Sequence, residues 1–294
     1  MNGFLFKAES RAFRAFYRLT GLHPVSNRYL SGDSFRRLAR RRYERGRAGP
    51  RFDPRSVSEG DCVYCESGLL PEFFATVCPE IRARFRLISH NGDLTIGPEL
   101  AGALPANVTR WFAQNVAVRD DRIVPIPIGL ENRRLHTNGV VRDFDRLRRS
   151  SASKVNRILY GFTVGTNPAE RVPCVEALRR CRVAVGMDRR DSRLYRRLLS
   201  GYRFVASPPG NGEDCHRTWE GLYLRVIPVV KRSILTESFA ALGLPLMLVD
   251  DWSSLVTMRD EDLDRAYAEL SPGFDHPALG MAFWASRVDA GSTV

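Results

Sequence analysis

The sequence predicts an α/β protein of two Rossmann-like domains, each built on a mostly parallel sheet, facing each other across a cleft. Three observations predict it. Short apolar runs alternate with helix-period segments twice over along the chain, the pattern of successive βα units. The 294 residues exceed what one small core needs and suit two domains, each of roughly 100–200 residues. A charged, helix-like stretch, VVRDFDRLRRSSASKVN, runs into serines near residue 152 and divides the arrays into residues 1–152 and 153–294.

The chain opens on a basic aromatic segment. Phe13, Phe16 and Tyr17 fall on one helical face with Arg11, Arg14 and Arg18 beside them. Such a helix can pack on its own domain or lie on an anionic membrane surface. SGDSFRRLARRRYERGRAGPRFDP then reads as a capped basic helix followed by a Gly/Pro loop. In the first array CVYC is a short buried strand, LLPEFFATVCPEIRAR is helix-like or a loop and helix, and FRLISH is a second strand closed by the turn HNGD. VTRWFAQNVAV and RIVPIPIGLEN repeat the theme of apolar segment, short strand and Pro/Gly loop.

In the second array RILYGFTVGTNP is strand and loop, AERVPCVEALRRC a helix, RVAVGMD a strand and SRLYRRLLSG a helix. YRFVASPPG is a strand breaking into a loop, CHRTWEGLYLR a helix, VIPVVK a strand, TESFAAL a helical turn and LPLMLVDDW a strand. SPGFDHPALGMAFWASRV ends the series as a terminal helix after Pro-rich turns, placed to pack back on the first domain.

Net charge is +12, of which residues 1–60 supply +9, and only Lys7, Lys154 and Lys231 are lysines. The bias fits arginine-rich coding and also attraction to anions, either lipid headgroups or nucleic acid. No apolar run reaches the ~18 residues of a membrane span. The N-terminus lacks the long apolar core and A-x-A site of a signal peptide. The expectation is a cytoplasmic protein, peripheral on the inner face of the membrane through residues 1–55. Cys62, Cys65 and Cys78 look like half a zinc site, but no second pair completes it. Strand alternation also sends Cys62 and Cys65 to opposite faces, so buried reduced thiols are expected.

Ligands of open α/β sheets bind in loops past the carboxyl ends of strands. Helices that start there aim free N–H groups at phosphate. The strand YRFVA ends at Ala206, and the loop from Ser207 through Gly210 to Gly212 leads into His216, Arg217 and Glu220. Arg217, in the first helical turn, can grip a diphosphate through paired hydrogen bonds. Glu220, one turn deeper on the same face, can accept hydrogen bonds from ribose hydroxyls. The bland alternative is an Arg217–Glu220 ion pair within the helix. Arg171, after Gly165, Thr166 and Asn167, is a second phosphate candidate, and Lys231, which ends a strand at the same edge, is a candidate contact for the diphosphate or base. Beyond FRLISH, His90 and Asp93 are candidates for the base that deprotonates an acceptor hydroxyl. His90-Asn91-Gly92-Asp93 is also ordinary turn chemistry. Glu131 and Asn132 are candidate acceptor contacts. No D-x-D lies between apolar strands, so no metal is expected, and no cofactor beyond a nucleotide-sugar co-substrate. G-x-G-x-x-G after a strand and the P-loop pattern are both missing.

CHRTWEGLYLRVIPVV followed by LPLMLVDDW resembles the donor-binding signature of exostosin-type glycosyltransferases: Ser-x-Arg-x-x-Glu-Ala, a helix, a strand with a central Pro-Val, a Leu-Pro-Phe strand and an Asp-Trp. Arg217 and Glu220 fall on its Arg and Glu, Pro228 on its strand proline, and Asp251-Trp252 on its Asp-Trp. SHNGD, WFAQN and PIPIGLEN also resemble bacterial glycosyltransferases of this kind. The likeness covers mainly residues 200–255. Cys215 stands where the motif has Ser, Gly221 where it has Ala, and the N-terminal half is short. The resemblance implies a GT-B type transferase whose second domain holds most of the nucleotide-sugar donor. The function it implies is transfer of a sugar to a glycan or lipid-linked glycan hydroxyl, in bacterial surface polysaccharide synthesis, with no nucleic acid bound. The rival readings are a basic nucleic-acid-binding protein using residues 36–55 and a nucleotide-sugar enzyme, such as an epimerase, that is no transferase.

Overall fold

The computed structural model describes residues 29–45, 52–132, 139–149, 153–188 and 192–290. The expected aromatic helix near the start and the Ser-rich joint at 150–152 lie outside them. The first described helix, α1 (Gly32–Leu38), is capped by the Ser31 side chain, as the S-G-D-S stretch predicts. Five strands follow: β1 (Arg41–Tyr43), β2 (Cys62–Glu66), β3 (Phe85–His90), β4 (Val108–Ala113) and β5 (Ile123–Pro125). They form one parallel sheet in that order. β1 corrects the sequence reading, which ran the basic helix into a loop here. The stretch LLPEFFATVCPEIRAR is helix-like up to Glu80, as read, but it is not one regular helix. It folds as a chain of single turns from Ser67 to Glu80, with a π-type turn at Phe73–Val77, because Pro71 and Pro79 interrupt the donor ladder. The short helix α2 (Pro98–Gly102) joins β3 to β4.

After α3 (Val141–Arg148), the second sheet holds β6 (Val155–Tyr160), β7 (Ala184–Gly186), β8 (Tyr202–Ala206), β9 (Ile227–Lys231) and β10 (Met247–Val249). Its order is β7-β6-β8-β9-β10, again parallel. Its helices are α4 (Pro168–Arg180), α5 (Ser192–Ser200), α6 (His216–Tyr223), α7 (Ile234–Ala241), α8 (Asp260–Leu270) and the terminal α9 (Met281–Ala290). The sequence reading had no counterpart for α8. Pro228 sits inside a central strand, where a missing N–H is costly. Ser207 N–H bonds the Val229 carbonyl and Arg232 N–H that of Val249. Alternation along β9 therefore turns the Pro228 nitrogen toward β10, whose ladder begins only at Val229.

Strand order dictates where helices lie. In the first sheet every crossover steps in one direction, and right-handed crossovers then all fall on one face. That face carries Val63, Cys65, Leu87 and Trp111 against Phe73, Phe74 and Leu104. The other face, with Tyr64, Ile88, Phe112 and Val124, is covered by Phe35 of α1 and Trp284 of α9. Phe35 and Trp284 meet edge to face at 6.2 Å. The terminal helix thus packs back on the first domain, as expected. Cys62 and Cys65 do face opposite sides, and all six thiols are free. In the second sheet the path reverses after β7, which puts α4 on one face and α5, α6 and α7 on the other. No helix among the described residues is long and apolar enough to cross a membrane.

The turn after β5 depends on glycine. Gly129 has φ +68°, and a Cβ there would lie 2.3 Å from the Leu30 carbonyl oxygen. That oxygen already accepts Leu130 N–H at 2.8 Å. Gly129→Ala is expected to cost about 2 kcal/mol or more, from backbone strain and the backbone clash together. A urea melt checks it, and an unchanged midpoint would refute the account.

Candidate active site

A sheet ordered β7-β6-β8 has its switch point between β6 and β8, and crevices open there beyond the strand ends. The loops that follow are Gly161–Asn167 after β6 and Ser207–Cys215 after β8. Each leads into a helix whose first turn carries an arginine. Arg171 of α4 is buried and ties the two loops together. Its Nε donates to the Pro209 carbonyl and its Nη1 to that of Thr163, both at 2.8 Å. Arg217 of α6 donates through Nη2 to the Gly161 carbonyl at 3.2 Å, while its buried Nε has no hydrogen-bond partner among the described residues. Both guanidinium carbons lie 5.6 Å from the centre of the Phe162 ring. Two like charges therefore share one aromatic platform at the crevice, an arrangement an anion would relieve.

Glu220 lies one turn beyond Arg217 and is only 5% exposed. No described residue hydrogen-bonds or ion-pairs with its carboxylate, so the bland Arg217–Glu220 pair does not form. Burial pushes its pKa up, against the pull of His216, Arg217 and Arg196. Its oxygens are not among the buried side-chain atoms left without a partner; they still reach solvent, and a ligand's hydroxyls could take water's place as donors. His216, at the start of the same helix, binds the Gly129 carbonyl through Nδ1 at 2.7 Å. A carbonyl only accepts, so Nδ1 carries the proton and Nε2 keeps its lone pair.

Between the two sheets stands Asp214, fully enclosed. Its Oδ2 accepts Ile128 N–H at 2.7 Å from the first domain, and its Oδ1 accepts Cys215 N–H at 2.8 Å. The Trp219 indole donates to both oxygens. Asp214 N–H in turn bonds Asn115 Oδ1 at 2.9 Å. Burial raises this carboxyl to about 6 although those donors hold it down. A raised carboxyl pKa means the folded state binds the proton more tightly. Stability should therefore fall as pH rises from about 4 to about 6 and then level off. Asp214→Asn should remove its share of that slope and leave the share of Glu220. Stability should also drop by about 1–3 kcal/mol, because an amide NH2 would face N–H donors. Melts across pH 4–8 test both.

Ser207 and Gly210 line a cavity of about 260 Å³ beside the crevice, as does Lys231. The Ser207 hydroxyl is engaged with Thr218 at 2.9 Å, and Lys231 Nζ with Glu170 at 2.8 Å. Gly210 is packed on Arg171: a Cβ there would lie 3.0 Å from Nη2. His90 is buried at the end of β3. Asn91 N–H donates to its Nδ1 at 2.7 Å, so Nε2 holds the proton and gives it to the Pro127 carbonyl at 3.0 Å. Burial pushes its pKa down to about 4. Both ring nitrogens are thus occupied, and neither is open to an acceptor hydroxyl. Asp93 is exposed on the rim and receives Asn211 Nδ2 at 3.2 Å. Asn132 bridges Asn91 Oδ1 and Asp33 N–H, at 2.7 and 2.8 Å. Glu131 is half-buried and close enough to Glu220 to raise its pKa. Asp251 caps the turn that follows by accepting Ser253 N–H, and Trp252 Nε1 reaches Glu170 at 3.4 Å. Sequence reasoning missed the Phe162 platform and Glu170. Their only signal was position, just after β6 and in the first turn of α4.

The chain matches no protein-family model and no curated protein. Among solved structures it is similar to one described as trehalose-6-phosphate from E. coli bound with UDP-2-fluoro glucose, at 12% identity over 81% of this chain and 75% of that one, with a TM-score of 0.46. It is similar to an α,α-trehalose 6-phosphate synthase from Burkholderia multivorans at 9% identity, covering 80% and 70%, with a TM-score of 0.46. A glycosyltransferase involved in avilamycin A biosynthesis aligns at 12% identity over 79% and 85%, with a TM-score of 0.34.

Proposed function

We propose that the protein is an exostosin-like glycosyltransferase of GT-B type. It would move a sugar from a nucleotide-diphosphate sugar to a glycan or lipid-linked glycan hydroxyl. The observation that carries this reading is Glu220, a largely enclosed residue whose carboxylate no described residue hydrogen-bonds, one turn from Arg217 at the switch point. Ribose hydroxyls would supply donors to that carboxylate. Arg217 and Arg171, above Phe162, would hold the diphosphate. As the acceptor oxygen bonds to the anomeric carbon, the bond to the diphosphate breaks and negative charge grows on the leaving group. The two guanidinium groups would stabilise it there. The acceptor proton passes to Asp93 on the rim or to His216 through Nε2. Glu131 would contact the acceptor, and Asn132 would hold the Asn91 turn beside it. The motif resemblance supports a role in bacterial surface polysaccharide synthesis. The cationic first 60 residues support attachment to the anionic inner face of the membrane.

Thermal shift against UDP-, GDP-, CMP- and dTDP-sugars tests the reading. A ligand bound only by the folded state adds ~2.7 kcal/mol of stability at a hundredfold excess over Kd. One nucleotide class should raise the melting temperature, and Arg217→Ala should abolish the rise. No shift with any class would refute the proposal.

A further inference from the structure

The cavity of about 260 Å³ opens between Thr95 of the first domain and the Pro209–Asp214 loop of the second, and α7 closes its far side. Its volume lies just under the ~300 Å³ at which common ligand pockets begin, a size suited to one ring. Its walls are rich in hydroxyls, amides and carboxylates, while Val230, Phe239 and Leu246 give it an apolar patch. Most of the polar groups are already engaged with one another: Ser207 with Thr218, Asn167 with the Gly210 carbonyl, Lys231 with Glu170. Glu213 differs. It is half-buried, and no described residue hydrogen-bonds its carboxylate. Burial pushes its pKa up, with neighbouring Glu170 adding to the rise and Lys231 opposing it.

We propose that this cavity is a sugar subsite of the transferase, that it takes one uncharged ring, and that Glu213 determines its specificity. The inference rests on the transferase reading. A carboxylate only accepts, and two adjacent ring hydroxyls offer it two donors. The apolar patch matches the C–H face of a ring. Lys231 is neutralised by Glu170 and Arg232 by Asp250 and Glu237, so an incoming carboxylate or phosphate would meet Glu213 with no unpaired cation of the lining to offset it. Uronic acids and sugar phosphates are therefore excluded.

Saturation-transfer NMR on the full chain tests this. The probes are the methyl glycosides of glucose, galactose, mannose and N-acetylglucosamine, with the methyl glycoside of glucuronic acid as the charged counterpart. At least one neutral glycoside should bind and the glucuronide should not. Glu213→Ala should weaken that binding about tenfold or more, the loss of a charge-assisted bond. Glu213→Gln keeps the volume and should admit the glucuronide. No neutral binding, binding indifferent to Glu213→Ala, or equal binding of the glucuronide each overturns the proposal. Thermal shift with nucleotide sugars on the same samples separates the two levels. A shift without glycoside binding sinks the subsite and leaves the transferase reading standing. Glycoside binding without any nucleotide shift does the reverse.

Discussion

A chain ending at Asp275 is expected to lose the cooperative fold of its first domain. The first sheet has one face that no crossover of its own can cover, and α9 closes it. Trp284 is fully buried, and its indole N–H donates to the Ala278 carbonyl at 2.8 Å. Leu279, Met281 and Val288 join the same core, while Arg86 of β3 holds the Val288 and Asp289 carbonyls through its guanidinium. Four large side chains at ~1.5–3 kcal/mol each bring on the order of 10 kcal/mol, comparable with the whole stability of a typical domain at ~5–15 kcal/mol. The truncated chain should lose near-UV circular dichroism and bind hydrophobic dye. The point version, Trp284→Ala, should cost about 3–5 kcal/mol. A urea midpoint unmoved by Trp284→Ala would show that α9 is an ornament on a self-sufficient domain.

The second large effect concerns the crevice. Arg217→Ala should weaken nucleotide-sugar binding by about 10²–10⁴-fold, the loss of two charge-assisted hydrogen bonds at ~1.5–3 kcal/mol each. Glu220→Gln should separate function from stability. Desolvation disfavours the Glu220 charge in the folded protein, and a neutral amide of the same size removes that charge. The variant should therefore melt higher than the native chain without ligand, by about 1 kcal/mol or more, yet bind the donor more weakly. The pH dependence has a definite sign. Because folding raises the Glu220 pKa, the native protein should lose stability as pH rises above the ordinary glutamate range. Glu220→Gln should flatten that part of the curve. A Glu220→Gln chain that melts lower and binds donor normally would mean that the carboxylate serves the fold, not a ligand.

Much of this was legible in the residues. Alternation and apolar runs announced most strands because a buried parallel sheet demands them, and caps such as Ser31 marked helix starts. Arg217 and Glu220 could be placed at a helix mouth because the strand, the glycine-bearing loop and the helix are contiguous in the chain. Other elements carried no such signal. β1 has three residues, two of them arginines, so its pairing with β2 shows in no local pattern. α8 follows the last strand with the acidic run Asp260–Asp262 in its first turn, a start signal without an apolar stripe strong enough to announce it.

The sequence by itself determined the class of fold, the helix mouth with its arginine and glutamate, and the return of a terminal helix. Only the tertiary structure decided which partners those groups meet. It pairs Lys231 with Glu170 rather than leaving it open, and occupies both nitrogens of His90. It joins the domains through Asp214 and Ile128, 86 residues apart, and gives the Glu220 carboxylate no hydrogen-bond partner among the described residues. The physical reason is range. Periodicity and capping are settled within a few residues, whereas the desolvation and pairing of a charge depend on whatever surfaces the whole chain folds against it.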